Sequence, residues 1–143
     1  MENARDVFIS YIKNKGIRQS RQRDCILEVF LNTEKHLSAS ELYGLVSRKY
    51  PGIGYATVYR AMKTICAAGL AEEVDFDDGV SRFEHKHGHE HHDHMICTEC
   101  GRYIEVIDLR IEKLQDELAK KYDFTPQKHK MKIFGICKNC KHK

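Results

Sequence analysis

Two Cys-x-x-Cys pairs in the last third of the chain constrain its fold more than any other feature. They are Cys97 with Cys100 and Cys137 with Cys140, and 36 residues separate the two pairs. A Cys-x-x-Cys turn directs two sulfurs at one ion, and Zn(II) prefers four such ligands in a tetrahedron. The pairs therefore predict one structural zinc site that ties two distant segments together. The alternative is a pair of redox dithiols or unbound thiols.

A block of histidines and acids lies immediately before the first pair. Residues 85–94 contain no apolar side chain, so we expect a linker or a ligand loop there and not a core element. Imidazole and carboxylate together suit Fe(II), Mn(II), Zn(II) and Ni(II). The block therefore predicts metal ligands of a second kind, although a solvated histidine tract that binds metal adventitiously has the same composition.

Alternate residues of this block can serve different ions. In an extended segment, His92 and His94 point to one side, and His91 and Asp93 point to the other. Side chains from elsewhere can complete each set. The candidates are His36, Glu84 and Glu105 for the first ion, and Glu112 and His129 for the second.

The composition predicts a cytoplasmic protein. The chain has no run of about 18 apolar residues that would span a membrane, and its N-terminus carries charges where a signal peptide needs an apolar stretch. In a reducing cytosol, paired cysteines are more often metal ligands than disulfides. With 143 residues, of which 41% are hydrophobic and 31% charged, the chain can bury a core in one medium domain or two small ones.

Positive charge is concentrated near the N-terminus. The formal net charge is only +3, which is weak evidence for nucleic-acid binding. From Val7 to Arg23, however, the chain has no acid and five basic residues, which are Lys13, Lys15, Arg18, Arg21 and Arg23. The pattern predicts a basic stripe on an otherwise balanced protein.

Residues 1–84 predict a winged helix-turn-helix domain. Four helices are indicated: Ala4 to Lys15, N-cap Ser20 to Leu31, a capping box at Ser38 and Glu41 to just before Pro51, and Tyr55 to about Ala68. Two alternating segments around an Asp77-Asp78-Gly79 turn then predict a β-hairpin. Short helices followed by a hairpin are typical of a winged helix, in which the hairpin forms the wing.

Residues 85–143 predict a small α+β domain, with a hinge at about residues 84–94. Strands are indicated at Tyr103–Ile107 and Lys130–Ile136. Between them Asp108 can cap a helix whose apolar residues recur at helical spacing, namely Ile111, Leu114, Leu118 and Tyr122. The fold class is therefore α+β overall. About 60 residues with one helix are marginally stable alone, so this domain needs a metal, a partner or both.

The fourth predicted helix has a polar outward face. That face carries Tyr55, Thr57, Tyr59, Arg60 and Lys63. Hydroxyls and a guanidinium group near a helix N-terminus suit contacts with phosphates and with base edges in a major groove. A charged helix face is often only solvated, but the hairpin after this helix and the basic stripe before it favour DNA binding.

Three segments are similar to one known family. They are Gly54-Tyr-Ala-Thr-Val-Tyr-Arg60, His91-His-Asp-His-Met-Ile-Cys-Thr-Glu-Cys-Gly101 and Cys137-Lys-Asn-Cys140. Together they resemble the ferric uptake regulator family of bacterial metal-dependent repressors, over nearly the whole chain. The resemblance implies a homodimer that binds palindromic double-stranded operator DNA through its winged helices and pairs through its α+β domains.

The resemblance also implies roles for individual residues. It implies structural zinc at Cys97, Cys100, Cys137 and Cys140. It implies a regulatory hinge site at His36, Glu84, His92, His94 and Glu105, and an additional site at His91, Asp93, Glu112 and His129. It implies DNA contacts from Tyr59 and Arg60, and a minor-groove contact from Arg18. Between Glu84 and His94 the chain is one residue longer than the iron-sensor pattern, so His85 and His87 rival Glu84 as the hinge ligand.

The function that the resemblance implies is repression of transcription in response to iron, without enzymatic activity. The cofactors would be structural Zn(II) and regulatory Fe(II), with Mn(II), Zn(II) or Co(II) able to replace the iron. A zinc-, manganese- or peroxide-sensing member of the family is the alternative, although the peroxide-sensing branch usually has aspartates at the positions of Glu84 and Glu105. A metal-buffering protein is less favoured, and a metallohydrolase least.

Overall fold

The computed structural model describes residues 3–33, 36–86 and 93–142. The chain divides into two compact units, Met1–His89 and Glu90–Lys143. The first contains α1 (Ala4–Asn14), α2 (Arg21–Leu31), β1 (Leu37–Ser38), α3 (Ala39–Lys49), α4 (Tyr55–Ala67), β2 (Ala71–Asp75) and β3 (Ser81–His85). The second contains β4 (Asp93–Cys97), β5 (Tyr103–Val106), α5 (Leu109–Lys121), β6 (Lys132–Gly135) and α6 (Lys138–Lys141).

Local capping explains where the first helices begin. The side chain of Asn3 accepts a hydrogen bond from the amide of Asp6 at 2.9 Å, and Ser20 caps α2 in the same way. At α3, Ser38 and Glu41 form a reciprocal capping box with both hydrogen bonds at 3.1 Å. These bonds satisfy amides that a helix leaves without partners at its N-terminus. The four predicted helices and the capping box are confirmed.

The core of the first unit is formed by its helices and its hairpin. Of the described residues, the largest fully buried side chains all belong to this unit: Phe8, Ile26, Leu27, Phe30, Leu42, Val46, Val58, Met62, Ile65, Leu70 and Phe83. The strands form one antiparallel sheet in the order β1-β3-β2. The hairpin turns where Asp77 and Gly79 adopt left-handed φ angles of 60° and 78°. The winged helix is thus confirmed, and β1 is an additional strand too short for sequence patterning to show.

The second unit is built on a three-stranded sheet with β4 at its centre. The strand order is β5-β4-β6, with β4 antiparallel to β5 and parallel to β6. The predicted strands at β5 and β6 are confirmed, although both are shorter than expected. The α+β fold class is confirmed.

The central strand β4 was not expected. The sequence predicts a linker or ligand loop through residues 85–94, but Asp93 and His94 begin β4 and are buried. Backbone hydrogen bonds to both neighbours explain the difference, because a strand paired on two sides can bury polar side chains that have partners. The His94 amide donates to the Met131 carbonyl at 3.2 Å.

Helix α5 exposes its apolar stripe. Its N-cap Asp108 is confirmed, but no residue of this helix is buried in the described chain. The exposed fractions are 63% for Leu114, 59% for Leu118 and 70% for Tyr122. The predicted helix is confirmed, and its exposed apolar stripe is a candidate interaction surface. None of the helices in the described residues combines the length and the hydropathy that a membrane span requires.

Candidate metal centres and nucleic-acid interface

The four cysteines of the two pairs come together in the second unit. The Cys97 and Cys140 sulfurs lie 3.8 Å apart, and those of Cys100 and Cys137 lie 3.7 Å apart. A tetrahedron with Zn–S bonds of about 2.3 Å has sulfur–sulfur edges of about 3.8 Å. A disulfide bond would require about 2.05 Å, and all six cysteines of the chain are free thiols. The cluster therefore has the donor chemistry and the dimensions of a tetrahedral zinc site.

Backbone structure prepares one of these sulfurs to bind metal. Cys97 ends β4, and a turn closed by the Gly101 amide on the Cys97 carbonyl brings Cys100 back towards it. Backbone amides, first that of Cys100 and then that of Cys137, lower the pKa of the Cys97 thiol to about 6. The thiolate is the form that ligates metal. The hydrogen bond with Cys137 instead raises the pKa of Cys140 to about 12, and a divalent cation among the sulfurs favours ionisation of both.

A second cluster in this unit joins Asp93, Glu112 and His129. Their ligand atoms all lie within 4.8 Å of one another. The His129 Nε2 atom is 3.0 Å and 3.1 Å from the two Glu112 carboxylate oxygens. The Asp93 carboxylate accepts a hydrogen bond from the Met131 amide at 2.9 Å, which orients it towards β6. The set of one imidazole and two carboxylates suits a first-row divalent metal. His91, the fourth expected ligand, lies outside the described residues.

The first unit brings His36 and Glu84 into contact. The antiparallel register of β1 and β3 pairs Leu37 with Phe83, so the preceding and following positions, His36 and Glu84, also lie side by side. His36 Nε2 makes a short contact with a Glu84 carboxylate oxygen, and both side chains are buried. These two side chains offer one nitrogen and one oxygen donor at a single place on the sheet.

The second unit offers a similar pair in His94 and Glu105. They are direct cross-strand partners in the antiparallel register of β4 and β5, and such partners project on the same face of a sheet. His94 is buried, whereas Glu105 is exposed. His92, the other histidine expected beside them, lies outside the described residues.

His85 has a structural contact that the sequence did not indicate. Its Nε2 atom lies 2.8 Å from the Phe30 carbonyl, and its ring stacks on the Phe30 ring with centroids 4.4 Å apart. Phe30 is in the last turn of α2, and its carbonyl also accepts a hydrogen bond from the Thr33 amide at 3.1 Å. His85 thus packs against the C-terminal end of α2, whereas the neighbouring residue Glu84 contacts His36. His87, the other rival ligand, lies outside the described residues.

The N-terminal half of α4 presents the expected polar surface. Tyr55, Tyr59 and Arg60 are exposed and Thr57 is half-buried, whereas Val58 and Met62 on the opposite face belong to the core. Arg18 is also exposed, before the start of α2. Lys63 differs from its expected role on this face, because its ammonium group is 2.5 Å from the Glu73 carboxylate on β2.

These features define a class of metal-binding winged-helix proteins, and the comparisons identify the family. The model of the ferric uptake regulator family matches residues 14–134. The ferric uptake regulation protein of Bordetella parapertussis is 40% identical over 132 residues, which are 92% of this chain and 94% of that protein.

Solved structures agree with this match. The ferric uptake regulator of Helicobacter pylori, whose structure reveals three functional metal-binding sites, superposes with a TM-score of 0.86 at 31% identity, over 98% of this chain and 95% of that one. The ferric uptake regulator of Pseudomonas aeruginosa with manganese gives a TM-score of 0.79 at 32% identity, over 92% and 98% of the two chains. The chain belongs to the ferric uptake regulator family, whose members are metal-responsive transcriptional repressors.

Proposed function

We propose that this protein is an iron-responsive repressor that binds palindromic operator DNA as a homodimer. In this proposal residues 1–84 are the DNA-binding domain and residues 85–143 the metal-binding dimerisation domain. The exposed tyrosines and arginine of α4, together with Arg18, would contact the operator. The single observation that carries the proposal is the combination of that face with two clusters of metal-binding side chains in the second unit and one His/Glu pair in each unit. A cytoplasmic location stays a prediction.

Each candidate centre has its own part in the proposed mechanism. The four sulfurs form a closed, purely thiolate site, which is the form of a structural zinc centre. The His/carboxylate sets contain nitrogen and oxygen donors, which suit a reversibly bound Fe(II) or Mn(II). Asp93, Glu112 and His129 would form the additional site. His36, Glu84, His94 and Glu105, with His92, would form the hinge site that senses iron.

The proposed switch depends on which unit supplies each hinge ligand. His36 and Glu84 belong to the first unit, whereas His94 and Glu105 belong to the second. A shared ion would supply the link that fixes the orientation of one unit against the other. Two recognition helices of a dimer must lie about 34 Å apart, or a multiple of it, to enter successive major grooves. Metal would therefore raise DNA affinity by favouring one orientation.

A first test measures operator binding against buffered free metal. We expect His36→Ala to abolish the rise in DNA affinity with Fe(II) or Mn(II), because the first unit loses its nitrogen donor. His142→Ala is the matched control, since His142 is exposed near the C-terminus and belongs to neither of the two clusters and to neither His/Glu pair. Fluorescence anisotropy with a labelled duplex, over a series of metal and salt concentrations, gives the affinities. Full metal-dependent binding by His36→Ala would refute the proposed switch.

A second test distinguishes Glu84 from His85 as the hinge ligand. We expect His85→Leu to retain the metal stoichiometry and to lower the free energy of unfolding by about 1 kcal/mol, because it removes one hydrogen bond at the end of α2. Glu84→Gln should instead weaken metal binding. The absorption spectrum of bound Co(II) reports the ligands, and thermal unfolding reports the stability. Loss of a Co(II) site in His85→Leu would make His85 the ligand.

A further inference from the structure

We propose that Glu73, on wing strand β2, positions Tyr59 for DNA contact by holding Lys63 against it. Glu73 is in this sense a positioning residue and makes no DNA contact itself. The inference rests on the proposed function, because Tyr59 is a DNA-contacting residue only if the protein binds operator DNA. It assigns to the wing a part in sequence recognition that is independent of any contact between the wing and DNA.

Two contacts link the wing to α4, the helix whose exposed face is proposed to contact DNA. The Lys63 ammonium group lies 2.5 Å from the Glu73 carboxylate. The same ammonium group lies over the Tyr59 ring, 5.1 Å from its centroid. Lys63 follows Tyr59 by four residues on α4, which places the two side chains on the same side of the helix. The ring and the carboxylate thus hold one ammonium group between them.

The electrostatics of these groups agree with the contacts. Glu73, as the larger cause, and Tyr59 both raise the pKa of Lys63. Lys63 in turn lowers the pKa of Glu73. Both shifts favour the charged forms of Lys63 and Glu73 that their contact needs at neutral pH. Lys63 is partly exposed, so the contacts can restrict Tyr59 without being essential to the fold.

The proposal predicts an effect that a plain charge effect would not produce. Removing a carboxylate from a DNA-binding domain should raise affinity for any duplex, because phosphate repulsion falls. If Glu73 positions Tyr59, removing the Glu73 carboxylate should instead lower the protein's preference for one DNA sequence over another. Asp75→Asn is the matched control. It removes the same charge from the same face of β2 and keeps a side-chain oxygen for the Asp77 amide, which lies 2.8 Å away.

The experiment uses the metal-loaded full chain and DNA that it selects itself. A pool of random duplexes is enriched on the wild-type protein, and affinities are then measured for the selected duplex and for a scrambled duplex of equal composition. For Glu73→Gln we expect the ratio of the two affinities to fall about threefold per protomer and about tenfold for a dimer, the range that one exposed ion pair can supply. Asp75→Asn should leave the ratio unchanged.

A double-mutant cycle tests whether Glu73 acts through Lys63. Lys63→Met should reduce the ratio as Glu73→Gln does, and the double variant should be no worse than either single variant. The inference would be overturned if the two single variants reduced the affinity ratio additively in the double variant. It would also be overturned if Glu73→Gln left the ratio unchanged, as Asp75→Asn should. Failure of the wild-type protein to enrich any sequence would instead refute the proposed function, so the two failures are distinguishable.

Discussion

Replacing Cys137 with serine is expected to abolish zinc binding and to unfold the second unit. Structural Zn(II) contributes on the order of 10 kcal/mol to the folding of small domains. Within the described part of this unit, only Ile96 and Cys97 are buried among the apolar residues. So small a core cannot replace the metal. The first unit should remain folded, because its buried aromatic and aliphatic side chains form a separate core.

Zinc content and limited proteolysis measure this outcome. The variant should contain no zinc, and protease should degrade the second unit while a fragment that corresponds to the first unit persists. Prolonged treatment of the wild-type protein with a strong chelator should reproduce the pattern. Cys66→Ala is the control, since Cys66 is on α4 in the first unit and outside the four-sulfur cluster. A zinc-free Cys137→Ser protein with an intact second unit would contradict the structural role of the metal.

Placing two glutamates on the apolar stripe of α5 is expected to convert the proposed dimer into monomers. Leu114→Glu with Leu118→Glu changes four leucines per dimer, and the burial of each is worth about 1.5 to 3 kcal/mol. The loss is therefore about 6 to 12 kcal/mol, before the further cost of burying charge. Affinity for a palindromic duplex should fall at least hundredfold, because one monomer can occupy only one half-site.

Sedimentation equilibrium gives the mass, and anisotropy gives the DNA affinity of the same samples. Lys120→Glu is the control, because it introduces a glutamate on the side of α5 opposite the stripe. The control should remain dimeric. If the double variant also remains dimeric, the stripe is not the subunit interface and the exposed apolar surface must have another partner.

The sequence predicts the first unit better than the second, because the first depends more on local hydrogen bonds and the second more on pairing between distant segments. Helix starts depend on local hydrogen bonds, so Ser20 and the capping box at Ser38 are visible in a few residues. Strand β4 is different, because its polar start at Asp93 and His94 becomes a strand only through pairing with β5 and β6. The helical spacing of the apolar residues of α5 was predicted correctly, but their exposure depends on tertiary packing that local patterning does not show.

The candidate sites divide in the same way. The cysteine cluster is predictable because each Cys-x-x-Cys turn already brings two sulfurs together. The contact of His36 with Glu84 spans 48 residues and depends on the register of β1, a strand of two residues. The placement of His85 against Phe30 depends on packing, so sequence alone left it as a rival ligand. The pairing of Lys63 with Glu73 likewise depends on the position of the wing beside α4.

Strand β4 connects the proposed zinc site to residues of the two proposed His/carboxylate sites. One end of this strand carries Asp93 and His94, and the other end carries Cys97. If the proposed zinc site anchors Cys97, loss of the metal is expected to disturb the placement of Asp93 and His94 at the other end of the strand. In that case zinc would have to be acquired before the protein could respond to iron. A cell short of zinc would hold full-length copies of the repressor that are unable to read its iron status, so zinc scarcity alone would mimic the signal of iron scarcity.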